Sequence, residues 1–279
     1  MQQKRKKINY PLIVSDFDGT LVNEDTTISP INIQFINEYI AAGGNFAIST
    51  GRMPKSILRR AKELGLHGVI SCCQGGIIMD IQTEEVLFSD TIPNNVAVKI
   101  CKRLEEMDLH IQMYGLWSYY CNRDNEPLKY YESITKDIAI RYLEKPLSTL
   151  LEESKMDVYK FLVMVRKEDN AKLFTALEKE NFPGCVITKS GDFLVEVISE
   201  RTSKGTAIAF LADYYNVPIE KTIGIGDQWN DISMIETAGI GIAVKNADEK
   251  LKASADVVLE YTNEEGAVGR VIEAYGLKE

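Results

Sequence analysis

The chain predicts an α/β fold: a doubly wound, parallel-sheet, Rossmann-like core interrupted by an inserted α+β domain. Three observations carry this. Residues 11–71 alternate short apolar runs with amphipathic helical stretches, the texture changes to closely spaced strand-like pieces as far as Ile198, and the strand–helix rhythm resumes at Thr202. The expected division is 1–88 and 198–279 for the core and 89–197 for the insertion.

In order, Pro11-Leu12-Ile13-Val14 reads as a buried strand that spills into Ser15-Asp16-Phe17-Asp18-Gly19-Thr20. Ser29-Pro30 looks like a helix N-cap and first turn, and the apolar face Ile33, Phe35, Ile36, Tyr39 and Ile40 stops at Gly43-Gly44. Residues 45–49 form a second strand, Thr50-Gly51-Arg52-Met53-Pro54 leads into a helix to about Leu64, and 68–71 is a third strand. That order implies right-handed crossovers and a parallel sheet. After Gly75, 76–79 and 86–88 suggest a hairpin, and Pro93-Asn94-Asn95 opens a helix to about Met107. The insertion offers strands at 110–114, 117–122, 158–165, 185–189 and 193–197, a helix at 168–179, and antiparallel pairing about Gly115-Leu116. The core resumes with a helix from Thr202-Ser203-Lys204-Gly205 to Tyr214 and a buried strand at 222–226 with its outgoing loop 227–231. Pieces at 239–244, 247–253 and 256–259 and a last helix near 264–275 follow.

With 279 residues, 45% hydrophobic and 26% charged, the chain can fill one large domain or two moderate ones. No apolar run approaches a membrane span. The basic start, Met1 to Lys7, precedes an apolar segment too short for a signal peptide and is expected to be a solvated tail. A net charge of −9 argues against a nucleic-acid partner, because phosphate backbones are bound through Lys and Arg. Cys72, Cys73, Cys101, Cys121 and Cys185 form no spaced ligand set, and an odd number suits a reduced, cytoplasmic protein. His67 and His110 alone leave little material for a His-based metal site or a Ser-His-Asp triad.

Two acidic loops follow buried strands. Asp16 and Asp18 stand two apart, so strand geometry would send both side chains from one face, where a hard cation such as Mg²⁺ would relieve their repulsion. Gly226-Asp227-Gln228-Trp229-Asn230-Asp231 can reach the same sheet edge and complete an oxygen-rich site. Each loop also has a plainer reading, as an Asp-Gly turn or a helix cap. Thr50 and Gly51 offer a hydroxyl and backbone N–H groups, a natural anion cradle. Lys204 opens a helix, where the dipole disfavours a cation, so a bound anion would explain it better than solvent. Together these parts describe phosphoryl transfer. Asp16 would attack phosphorus, Mg²⁺ and Lys204 would neutralise charge, Thr50 would orient the group, and Asp18 would protonate the leaving alcohol and then activate water.

On these residues the chain resembles the haloacid dehalogenase superfamily, and within it the Cof-type phosphatases with a large cap. Asp16 to Thr20 matches the first motif, Thr50-Gly51-Arg52 the second, Ser203-Lys204-Gly205 the third and Gly226 to Asp231 the fourth. The insertion lies where such caps belong, and Asn246-Ala247 and residues 263–268 are similar to the closing segments. The resemblance implies Asp16 as nucleophile and metal ligand, Asp18 as acid/base and ligand through its backbone carbonyl, and Asp227 as the third ligand. It implies phosphate contacts from Thr50, Lys204 and Asn230, with Asp231 behind them orienting Lys204. Gln74-Gly75-Gly76 and Lys245 depart from the family pattern, at positions expected to lie away from the chemistry.

The expectation is therefore a Mg²⁺-dependent phosphatase acting on a small phosphorylated metabolite, a sugar phosphate or phosphorylated cofactor, as a monomer or weak homodimer without nucleic acid or membrane. The rivals are a phosphomutase, a phosphoacceptor signalling domain and a binding protein that has lost catalysis. Trp117, Tyr119, Tyr120 and Arg123 could line a substrate surface, although packing is the simpler role for such aromatics.

Overall fold

In a computed structural model, which describes residues 7–63, 65–136 and 138–278, the core is an eight-stranded sheet. Apart from Lys7, the expected basic tail lies outside the described residues, as does Leu64, the expected end of the second helix.

The core strands run, edge to edge, Val257–Val258, Ile240–Ala243, Thr222–Gly226, Leu12–Ser15, Asn45–Ser49, Val69–Cys72, Ile77–Asp80 and Val86–Ser89. The first six are parallel, and the last two close the sheet as an antiparallel hairpin. Leu12–Ser15 is buried at every position, as expected for a strand with helices on both faces. It lies where strand order reverses, pairing with Asn45–Ser49 on one side and Thr222–Gly226 on the other. At such a switch point the strand-end loops diverge and leave a crevice.

The connecting helices carry legible punctuation. Pro30–Ala41 begins at Ser29, whose hydroxyl accepts from Asn32 N at 3.2 Å, and Lys204–Tyr214 begins with a reciprocal capping box between Ser203 and Thr206. The closing strand Leu277–Lys278 pairs with Lys7–Ile8.

The insertion builds a second sheet of six strands, ordered Cys185–Gly191, Leu194–Ser199, Lys160–Met164, His110–Tyr114, Tyr119–Cys121 and Ile140–Arg141. All its pairings are antiparallel except the last. The turn at Gly115 is closed by Gly115 N donating to Ser118 O at 2.9 Å, as the sequence suggested. One face packs against Asn94–Glu106, Leu147–Ser154 and Lys167–Glu180 in a core of its own. Tyr119 is packed rather than presented, stacking on Tyr114 at 4.9 Å.

Candidate active site

The strand Leu12–Ser15 ends one residue before Asp16, so alternation along a strand does not govern where Asp16 and Asp18 point. Asp16 is tied instead to the adjacent strand, its N–H donating to Ile225 O at 2.9 Å. Its carboxylate is buried with those of Asp227 and Asp231, and one oxygen from each lies within 4.8 Å of the others. Lys204 sits among them, its ammonium donating to Asp16 Oδ1 and to Asp231 Oδ1. These two carboxylates give a lysine at this helix start its counter-charge within the chain. Asp231 Oδ2 accepts from the N–H groups of Asp227, at 3.0 Å, and Gln228, at 2.9 Å. Asp231 therefore caps the backbone of this loop. Asp227 Oδ1 takes the hydroxyl of Thr20 at 2.8 Å. Gly19, at φ +76°, allows this approach, since a Cβ there would stand 2.5 Å from Asp227 Oδ2.

Three buried carboxylates face one ammonium. Burial, and then the charge of Asp231, raises Asp16 well above the usual carboxylate range and pushes Asp227 up to about 7. For Lys204 burial disfavours the charged form, but Asp16 and Asp231 outweigh it and the pKa rises. The cluster thus lacks positive charge. Because both oxygens of Asp231 are engaged by Lys204 and backbone amides, Asp16 and Asp227 are the carboxylates left to face a hard cation.

Asp18 is placed differently from Asp16. Its half-exposed carboxylate forms a two-pronged pair with Arg52, Nε to Oδ2 at 2.8 Å and Nη2 to Oδ1 at 2.6 Å. Thr50 is buried and its hydroxyl accepts from Arg52 N at 3.1 Å, so the second loop is wound around the arginine. Asn230 donates from Nδ2 to Gln74 Oε1 at 3.0 Å. Of the two departures noted in sequence, Gln74 touches the site, whereas Lys245 is exposed and its backbone N–H donates to Tyr261 O at 3.0 Å. Gln74, at φ 60°, bonds Asn230, while Asn246, beside Lys245, donates to Gly19 O at 2.8 Å and accepts from Asn263 N at 3.1 Å. Arg52, Gln74, Lys160 and Glu196 escaped the sequence reading of the site. Arg52 lies in a recognised motif and Gln74 in a stretch set against the family pattern, but Lys160 and Glu196 carry no local pattern that marks them.

Asp16, Asp18, Thr50, Gly51 and Asn230 open onto a cleft of about 1060 Å³ between the two sheets. Its far wall comes from the insertion and includes His110, Arg123, Tyr131 and Leu162. Of the four residues considered in sequence as a substrate surface, Arg123 lines this cleft, and it also donates to Asp108.

A model of the haloacid dehalogenase-like hydrolases matches residues 13–272, and the chain belongs to that family. Within it the chain is a Cof-type phosphatase. A Haemophilus influenzae relative is 31% identical over 264 residues, covering 92% of this chain and 95% of its own. A pyridoxal phosphate phosphatase of Escherichia coli is 27% identical over 263 residues, covering 89% and 92%. A solved haloacid dehalogenase-like hydrolase from B. subtilis superposes with a TM-score of 0.84 at 25% identity, covering 95% of this chain and 99% of that one. Among the described residues, no helix is long and apolar enough to cross a membrane.

Proposed function

We propose that this phosphatase hydrolyses a small phosphorylated metabolite through an aspartyl-phosphate on Asp16, with Mg²⁺ bound at the same cluster. The observation that carries the reading is the meeting of Asp16, Asp227, Asp231 and Lys204, drawn from three separate loops, at one buried point. Asp16 and Asp227, with the Asp18 backbone carbonyl, would hold the ion. When bound, it supplies charge neutralisation for the transferring group.

Asp16 attacks phosphorus as the bond to the leaving alcohol breaks, and Asp18 gives that oxygen a proton. Asp18 then takes a proton from water, whose oxygen attacks phosphorus and breaks the bond to Asp16, releasing inorganic phosphate. Arg52 engages both Asp18 oxygens, so these transfers require that pair to open. Lys204 stabilises charge at the nucleophile, and Asp231 holds Lys204 in place. Thr50, the Gly51 backbone and Asn230 receive the phosphoryl oxygens.

Residues 89–197 act as a cap over the core of 1–88 and 198–279, excluding bulk water around the bound ester. The cleft volume suits a metabolite rather than a polymer, and the pyridoxal phosphate phosphatase relative supports a phosphorylated cofactor as one candidate substrate. Five free cysteines fit a cytoplasmic protein. A phosphate-release screen over small esters tests the reading. Activity should vanish with chelator, return with Mg²⁺, and be lost in Asp16→Asn; turnover by that variant at the wild-type rate would refute it.

A further inference from the structure

Buried charge on a sheet face is costly, and the inserted sheet carries it on one side only. Side chains alternate along its strands. Ile111, Met113, Phe161, Val163, Val195 and Val197 point into the apolar core beneath the helices. The opposite face carries Gln112, Tyr114, Lys160 and Glu196, none more than 1% exposed. Lys160 and Glu196 pair at 3.2 Å. A pair buried this way is weak evidence for stability, since apolar side chains of similar volume often do as well. Its role lies in what it holds.

Lys160 reaches a loop assigned to the phosphate directly, and Glu196 reaches another through Gln74. Lys160 Nζ donates to the carbonyl oxygen of Gly51 at 2.8 Å and lies 4.6 Å over the Tyr114 ring. Glu196 Oε2 accepts from Gln74 Nε2 at 3.1 Å, and Gln74 Oε1 in turn accepts from Asn230 Nδ2 at 3.0 Å. A carboxylate in an ion pair only accepts, so Glu196 decides which end of the Gln74 amide faces it. That choice turns the NH₂ end of Asn230 toward Gln74. The other Glu196 oxygen takes the Ser190 hydroxyl as well as Lys160. The fit is close, for a Cβ on Gly51 would stand 2.6 Å from Gln74 Nε2.

We propose that Lys160 and Glu196 are positioning residues that the inserted sheet lends to the phosphate site. Lys160 fixes the Gly51 backbone, and Glu196 fixes the Asn230 amide through Gln74. The site is then fully assembled only while the inserted sheet is seated on the core, which couples closure to phosphate recognition. This assignment rests on the phosphatase reading above.

The test uses phenyl phosphate turnover, inhibition by inorganic phosphate and thermal unfolding. Glu196→Gln can present either amide end to Gln74 and leaves the buried Lys160 without its carboxylate, so it is expected to lower kcat/KM about tenfold, to weaken phosphate inhibition by a similar factor and to lower Tm. Lys160→Met leaves Glu196 buried without its partner, so it should lose Tm as well. The double variant Lys160→Met/Glu196→Leu should recover Tm yet keep the kinetic and inhibition losses, which a purely structural pair would not do. Recovery of wild-type kcat/KM together with Tm in the double variant, or unchanged constants in Glu196→Gln, would overturn the assignment. Asp16→Asn is run alongside. If it still turns over, the site reading itself fails and takes this assignment with it; if it is dead while Glu196→Gln is unaffected, the positioning role alone fails.

Discussion

His110 shows how much a single side chain can reveal about its surroundings. It starts a strand of the inserted sheet, is 5% exposed, and neither ring nitrogen has a hydrogen-bond partner among the described residues. Burial, helped by the charge of Arg123, pushes its pKa down to about 4 from 6.5. The unfolded chain therefore binds a proton that the folded chain refuses between these values. Stability on this account is intact above about pH 6.5 and is lost as pH falls toward 4, by about 3 kcal/mol at most. Urea midpoints measured across that window at saturating Mg²⁺ should drop in the wild type and flatten in His110→Leu; parallel slopes would contradict this. At the same scale, sequence legibility was uneven. Asp16, Asp227 and Lys204 each follow a strand end or open a helix, so local pattern found them. Asp18's capture by Arg52, 34 residues on, and Gln74's bond to Glu196, 122 residues on, have no periodic signature and needed coordinates.

Elements were easier to read than their partners. The core strands and the Ser29 and Ser203 caps followed from apolar runs and N-cap residues. Two helices of the insertion, Glu126–Thr135 and Leu147–Ser154, were not assigned, although Asn125-Glu126-Pro127 and Pro146 mark their starts; Asn125 Oδ1 accepts from Leu128 N at 3.2 Å. Both are short and present narrow apolar faces amid strands, so periodicity was a weak guide. The helix Lys204–Tyr214 yields a sharper test of what its first residue does. Lys204→Met relieves a cation at a positive helix end, a gain of a few tenths of a kcal/mol, but leaves Asp16 and Asp231 buried without their ammonium. The second effect is larger, so chelated protein should lose about 3 kcal/mol in urea unfolding along with its turnover. A neutral or stabilising substitution would mean that the lysine is not needed to hold these carboxylates together.

For the whole molecule, the acidic cluster sets a charge balance that the proposed Mg²⁺ would complete. Asp16 and Asp227 have folded pKa values raised by burial and by Asp231, with Asp227 near 7. The folded state then holds protons that the unfolded chain has released, so this contribution is present at low pH and lost as pH rises from about 4 through about 7. Thermal unfolding of chelated protein should show that decline, opposite in sign to the His110 effect. Mg²⁺ should raise Tm most at the upper end of the range, where the carboxylates are ionised and ready to bind. A Mg²⁺ increment independent of pH would place the ion elsewhere. The fold class was legible because a split α/β rhythm survives a long insertion. How the inserted sheet meets the core was not, because that contact is made by alternate residues of strands whose other face looks like any apolar core.

The stereochemical course at phosphorus reports on a covalent carrier most directly, because each in-line displacement inverts the configuration. Hydrolysis of an aryl phosphate made chiral with oxygen isotopes and sulfur, in isotopically labelled water, should proceed with net retention through two displacements, first by Asp16 and then by water. Net inversion would mean that water attacks the ester in a single step, and Asp16 would not be the carrier.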